Sequence, residues 1–368
     1  MRIASVEVIP YALPFRDPYV TARGTLTQRE MVLLRLRDEE GTIGLGEAVP
    51  LSLRGGAPLA QVVAELEALG ERESLDESLP GDGASALSPP ARCAVLTALM
   101  DLRGRRAVAG RSQDAPFEAG AAGALQPDEQ KSGAPPVRCN ATLVAGEPGA
   151  VAADAMRWAE DGFTTFKLKL GEGEDVAVVG AVRDAVGPGA RIRVDANGAW
   201  DLETAKRRLA ALEPHEIELA EQPVATLEEA AELSRSTSIP IAADESVVGP
   251  ADAKRAVELD ACQIAGLKIS KVGGPEAAIE IAELLPCFVS SALDGPVGIA
   301  AAAQVAQTLD QGNGSGGPGL AHGLATQRLF SSSVAAVECE LRDGMLHLPA
   351  GPGLGVEIDE DALQAHRL

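Results

Sequence analysis

Aromatic residues are scarce in this chain: two Trp, two Tyr and six Phe, 3% of 368 positions. Alanine, glycine, valine and leucine must therefore fill most of the core. Histidine is as rare. His215, His322, His347 and His366 are never paired at ligand spacing, which excludes a histidine-ligated zinc centre. The five cysteines (Cys93, Cys139, Cys262, Cys287 and Cys339) are odd in number and form no C-x-x-C pair. That argues against a disulfide scaffold or structural zinc and suits a reducing compartment. Basic residues are outnumbered 32 to 54, giving a formal charge of −22 without any Lys/Arg-rich run. Nucleic acid and anionic membrane surfaces are therefore not expected partners. No apolar run reaches the roughly 18 residues of a membrane span. The opening MRIASVEVIPYALPF also lacks the basic-then-apolar order of a signal peptide. A soluble, cytoplasmic chain is expected.

What is present is an ordinary globular mixture, 46% hydrophobic and 23% charged, long enough for a large barrel and a smaller domain. Residues 1–105 read as α+β. RIASVEVIPYAL alternates as a strand, while REMVLLRLRD and TIGLGEA form a hairpin through Asp38–Gly41. Helical patterns follow at about 57–70 and about 90–103. Residues 106–136, rich in Ala, Gly and Pro, read as an irregular connection or insert. From 137 to 329 the texture changes to eight short strand-like runs: VRCNATLV, TTFKLKL, RIRVDAN, EIELAEQP, IPIAADE, ACQIAGLKIS, CFVSSAL and GLAHGLAT. Amphipathic stretches separate most of them. This is the rhythm of a (β/α)8-type barrel, so the fold class is α/β with an added α+β domain. Residues 330–368 are expected to return to that first domain.

Parallel barrel strands are buried on both faces, so a charge there needs a partner or a metal. Asp195 closes RIRVDAN, Glu221 closes IELAEQP and Asp244 closes IPIAADE, each about one strand–helix unit from the next. One such acid alone reads as the cap of the following helix. Three in register on neighbouring strands read as a metal site at the C-terminal face. Hard oxygen ligands without His or Cys suit Mg²⁺, or Mn²⁺, rather than zinc. Lys167 and Lys169, two apart on a strand, share a face. Lys268 ends the strand one unit beyond Asp244. The order on five successive strands is lysine, three acids, lysine, which brackets a metal between two amines. Such a bracket suits removal of a proton next to a carboxylate, where the enediolate must be stabilised as it forms. A free lysine, with a pKa of about 10.4, must become neutral to act as the base. Lys167 and a nearby dication are expected to favour that in Lys169. Glu245 either orients a lysine or caps a helix.

The motifs K-L-K (167–169), V-D-A-N (194–197), E-Q-P (221–223), A-D-E-S (243–246) and L-K-I-S-K-V-G-G (267–274) resemble the enolase superfamily. The branch they match is that typified by muconate lactonizing enzyme, over nearly the whole chain, and residues 1–105 would be its capping domain. The resemblance implies Mg²⁺ on Asp195, Glu221 and Asp244, with Lys169 and Lys268 facing each other and Asn197 and Lys167 supporting them. Dipeptide epimerases of that branch usually carry Asp-x-Asp on the eighth strand, where this chain has Leu-Ala-His-Gly-Leu-Ala-Thr. The racemase group tends to carry Gly-Gly-Met-x-Glu-x-Gly on the seventh, where this chain has Val-Ser-Ser-Ala-Leu-Asp-Gly-Pro-Val-Gly. Ser-Ser-Ala-Leu-Asp (290–294), Asn-Ala-Thr-Leu (140–143) and Ala-His-Gly-Leu-Ala-Thr are similar to o-succinylbenzoate synthases. That implies a small carboxylate substrate and a dehydration serving menaquinone biosynthesis, with Ser290, Ser291 and Asn140 toward the substrate. Racemisation of N-succinylamino acids, epimerisation of dipeptides and muconate cycloisomerisation are the alternatives, and a non-catalytic carboxylate-binding barrel is the different-class one. Capping loops at about 16–28 and 50–56 carry Arg16, Arg23 and Arg54, which are read as solvated. Assembly into a homo-oligomer is left open.

Overall fold

A computed structural model describes residues 2–21, 24–50, 56–71, 75–76, 86–109, 135–171, 173, 175–312 and 319–368. Arg23, Arg54, most of the 106–136 segment and most of the Gly-rich 311–319 stretch lie outside these residues.

The N-terminal sheet has the order β3-β2-β1-β4, built from β1 (Arg2–Thr21), β2 (Gly24–Asp38), β3 (Ile43–Ala48) and β4 (Leu75–Asp76). The run MVLLRL in β2 is apolar at almost every position because both of its faces are covered. Val32, Leu34 and Leu36 pack on α1 (Leu59–Gly70) and α2 (Pro89–Ala109), while Met31 and Leu33 join the core shared with the barrel. Period-two alternation thus sends successive residues into two different cores. Gly44 and Gly46 let β3 lie directly on α2, since a Cβ at Gly46 would stand 1.9 Å from the Ala94 carbonyl oxygen. Helix α2 extends to Ala109, past the end at 103 expected from the sequence.

The barrel follows as β5 (Val137–Arg138), β6 (Ala141–Leu143), α3 (Pro148–Glu160), β7 (Thr165–Lys169), α4 (Asp175–Val186), β8 (Arg191–Asp195), α5 (Leu202–Leu212), β9 (Ile217–Glu221), α6 (Leu227–Ser234), β10 (Ile241–Ala243), α7 (Pro250–Leu259), β11 (Ile264–Leu267), α8 (Ile269–Val272), α9 (Pro275–Ala282), β12 (Cys287–Val289) and α10 (Pro296–Asp310). Seven parallel strands run β12-β11-β10-β9-β8-β7-β6. Sequence signals explain where the helices start. Thr226 and Glu229 form a capping box on α6, Asp201 caps α5, and Pro opens α7, α9 and α10.

The eighth strand-like run is not a strand. It forms single parallel bridges, His322 to Cys139 on one side and Gly323 to Ser290 on the other. Those bridges still close the barrel, because backbone bonds from Asn140 to His322 and from Ser291 to Gly323, both 2.9 Å, join the two edges. A Cβ at Gly323 would lie 2.4 Å from the Ser290 hydroxyl, so a side chain there would push the closing segment away. His322 is structural: its Nδ1 accepts from the Val289 N–H at 2.9 Å, which leaves Nε2 to face Asp310 at 3.3 Å.

The tail divides between the two parts. β14 (Glu340–Arg342) and β15 (Met345–His347) add to β5, and β13 (Ala335–Val337) pairs with β16 (Glu357–Ile358). The last helix, α11 (Glu360–His366), leads back to β1, where the Leu368 N–H donates to the Pro10 carbonyl at 3.0 Å. No described helix is long and apolar enough to cross a membrane.

Candidate active site

Strand register assembles the site. Lys169, Asp195 and Glu221 are lateral partners at the ends of β7, β8 and β9. Asp244 follows β10 by one residue, and Lys268 follows β11. In the seven-strand order plus its closing segment, β7 and β11 stand on opposite sides of the mouth.

All three carboxylates are buried, Asp195 and Asp244 completely, and each is met by ammonium groups. Lys167 Nζ lies 2.6 Å from Glu221 Oε2 and 2.9 Å from Asp195 Oδ2. Lys169 donates to Asp195 Oδ2 at 2.5 Å and to Asn197 Oδ1 at 3.0 Å. Lys268 donates to Asp244 Oδ2, and Lys271 donates to Asp244 Oδ1 at 2.7 Å and to the Asp244 carbonyl. Low local dielectric makes such pairing close to compulsory. Burial alone would depress Lys167, but the charges of Asp195, Glu221 and Asp244 outweigh it and hold the amine above the ordinary lysine range. Burial would raise Asp195, yet Lys167 and Lys169 pull it below the usual carboxylate range. Glu221 is raised, by burial first and then by Asp195.

The supporting residues are in reach. Asn197, at a left-handed φ of 49°, donates from its own backbone to Asp195 Oδ1 at 2.9 Å. Its side-chain amide donates to Glu245 Oε1 at 3.1 Å, which links Glu245 to Lys169 through Asn197. On the far wall Asn140 is buried, with its Oδ1 unbonded and its Nδ2 on Thr142 Oγ1 at 3.3 Å. Ser290 and Ser291 follow β12, and the Ser291 hydroxyl donates to Asp294 Oδ2 at 2.7 Å rather than facing the mouth unengaged. Arg16 donates to the Arg328 carbonyl at 3.1 Å.

Three contributors lie within the quoted motifs, which assign them no role. Lys271 stands one helical turn beyond Lys268, a spacing that could have pointed to it. Gln222, at φ 39°, accepts from the Asp244 N–H (2.8 Å) and the Ser246 N–H (3.1 Å), fixing the turn that carries Asp244. Asp294 gathers Ser270, Ser291 and the Ala292 N–H. The positions of the last two in the motifs do not tell which distant backbone and hydroxyl groups they hold.

Residues 150–362 match the family model "Enolase C-terminal domain-like", and residues 3–111 match "Mandelate racemase / muconate lactonizing enzyme, N-terminal domain". The chain belongs to the enolase superfamily, in its muconate-lactonizing-enzyme-like branch. An o-succinylbenzoate synthase from Thermobifida fusca is 42% identical over 54% of this chain, a match that spans 63% of that relative. The superfamily fold extends over the full length. The muconate lactonizing enzyme from Pseudomonas fluorescens, complexed with muconolactone, aligns at a TM-score of 0.85 and 27% identity, covering 100% of this chain and 99% of that one. The dipeptide epimerase from Enterococcus faecalis, complexed with Mg and the dipeptide L-Leu-L-Tyr, aligns at 0.82 and 26%, covering 97% and 100%.

Superfamily members bind Mg²⁺. Among the described residues, no three acidic, His or Cys side chains converge in metal-ligand geometry, and the carboxylates are instead paired with lysines. The donor set itself nonetheless fits a hard dication: three buried carboxylates on adjacent strand ends, with Glu221 Oε2 lacking any hydrogen bond despite its ion pair.

Proposed function

We propose that this enzyme abstracts the proton alpha to a carboxylate and dehydrates 2-succinyl-6-hydroxy-2,4-cyclohexadiene-1-carboxylate to o-succinylbenzoate. The observation that carries the reading is the bracket of Lys169 and Lys268 across a floor of Asp195, Glu221 and Asp244. Those three acids would hold Mg²⁺ or Mn²⁺. When bound, the cation supplies the positive charge that the carboxylates otherwise draw from the lysines, and it stabilises negative charge on the substrate carboxylate. Lys169, held by Asn197, takes the alpha proton and returns it to the departing hydroxide as water, on the same face. The C–H electron pair becomes the third double bond of the aromatic ring while the C–O pair leaves with the hydroxide, so the step is redox-neutral. Lys268, on the opposite side, balances the developing charge, and Lys167 keeps Asp195 and Glu221 in place.

Two observations favour dehydration over dipeptide epimerisation. The 42% match is to an o-succinylbenzoate synthase. The closing segment Ala321-His322-Gly323 also offers no carboxylate for a substrate ammonium group. Epimerisation remains the second reading, supported by the full-length likeness to a dipeptide epimerase. The test is turnover of the cyclohexadiene carboxylate, followed by its ultraviolet absorbance, with Mg²⁺ and with EDTA. Fast, EDTA-sensitive conversion is expected. A folded, metal-loaded enzyme that leaves it untouched while acting on dipeptides or N-succinylamino acids would replace this reading.

A further inference from the structure

The turn that follows β12 is held from the capping domain by a carboxylate that is not one of the acid trio. Glu47, on β3, is buried and reaches the first turn of α10. Its Oε2 accepts from the Tyr11 hydroxyl at 2.8 Å, and its Oε1 accepts from the Gly295 N–H at 2.7 Å. Two glycines make room for it. A Cβ at Gly295 would stand 2.3 Å from Tyr11 Oη, and one at Gly298 would stand 2.6 Å from Glu47 Oε1. The same turn contains Leu293 at a left-handed φ of 67° and the Ser291–Asp294 bonds. A second capping-domain residue, Arg29, donates to the Ala292 carbonyl at 3.1 Å and the Pro50 carbonyl at 2.8 Å. A strained turn bonded from another domain holds its shape only while those bonds persist.

We infer that Glu47 is a positioning residue, fixing from the capping domain the turn that sets Ser290 and Ser291 at the barrel mouth. The groups facing it are Tyr11 from β1, Asp294 from the turn and Cys93 from α2, with Arg92 beside Cys93. Asp294, Gly295 and Pro296 also form part of the wall of a cavity of about 210 Å³ between β1 and the 327–338 segment, so the turn itself borders open space. Burial, and then the neighbouring Asp294, push the Glu47 carboxyl up to about 7, while the Tyr11 and Gly295 bonds pull the other way. The folded chain therefore holds this proton more tightly than the unfolded chain does. The stability tied to it is present below the ordinary carboxylate range and is lost as pH rises toward 7.

The experiment is backbone amide hydrogen exchange on the full-length chain, read at residues 290–298 and across the other barrel strands from pH 5 to 8. With Glu47→Ala, exchange in 290–298 should rise about tenfold with the other strands unchanged. With Glu47→Gln, which keeps the shape, protection should persist and its pH dependence between 5 and 7 should flatten. Unchanged exchange in both variants overturns the inference. So does a uniform increase over the whole barrel without a changed pH profile, which a merely structural role would give. If Glu47→Ala fails to fold, Glu47→Gln and Tyr11→Phe carry the test. No readout depends on the substrate, so failure of the proposed reaction leaves this result intact.

Discussion

Asp195 faces two ammonium groups at once, and the consequences differ for each. Lys167 is shared with Glu221 in a buried setting, whereas Lys169 is a quarter exposed and has Asn197 as a second partner. Removing Lys167 would strip buried Glu221 of the ammonium paired with it, although Asp195 keeps Lys169, a change that typically costs about 3–5 kcal/mol. Removing Lys169 leaves Asp195 still paired. Lys169→Ala is therefore expected to keep the fold, with unchanged far-ultraviolet circular dichroism, while turnover falls by roughly 10²–10⁴-fold, the usual weight of a general base. Retained turnover would take the base role away from this residue.

At the level of elements, the barrel depends on a closing segment too short and glycine-rich to form a strand. His322 and Gly323 contribute one bridge to each neighbour, and the contact of Gly323 with Ser290 leaves no space for a methyl group. Gly323→Ala should therefore destabilise the chain by about 1–3 kcal/mol, the usual cost of overpacking, measured as a lower denaturant midpoint at an unchanged slope. An unaltered midpoint would mean that the seam is compliant. The neighbouring helix α10 shows the opposite solution. Its Ala300–Ala303 run is wholly buried, and small side chains let the helix lie close against its neighbours where aromatics are few.

For the whole molecule, the balance of charge couples metal binding to stability. The net charge is −22, and three of the acids are gathered at one mouth. A cation that binds the folded state alone stabilises it by mass action, by about 2.7 kcal/mol at a hundredfold excess over its dissociation constant. Mg²⁺ should accordingly raise the melting temperature relative to EDTA, and Glu221→Gln should remove most of that shift by taking away one anionic ligand. An equal shift in the variant would mean that the ion binds elsewhere.

The sequence by itself determined the barrel rhythm, the order of lysine, three acids and lysine, and the likeness to the superfamily. Those features are local: hydrophobic runs of strand length, and charges placed at their ends. Asp195, Glu221 and Asp244 were legible because a charge that closes a buried strand must be paired or bound to a metal. Tertiary structure alone decided the rest. That Lys271 shares Asp244, that Gln222 fixes the 244–246 turn at a positive φ, and that the eighth run closes the barrel by single bridges all depend on contacts between distant segments. Glu47 is the clearest case. Its partners Tyr11 and Gly295 lie 36 and 248 residues away, and its surroundings, not its neighbours in the chain, move its carboxyl toward neutrality. Periodicity records which face of an element is buried, but it carries no information on which distant element covers that face.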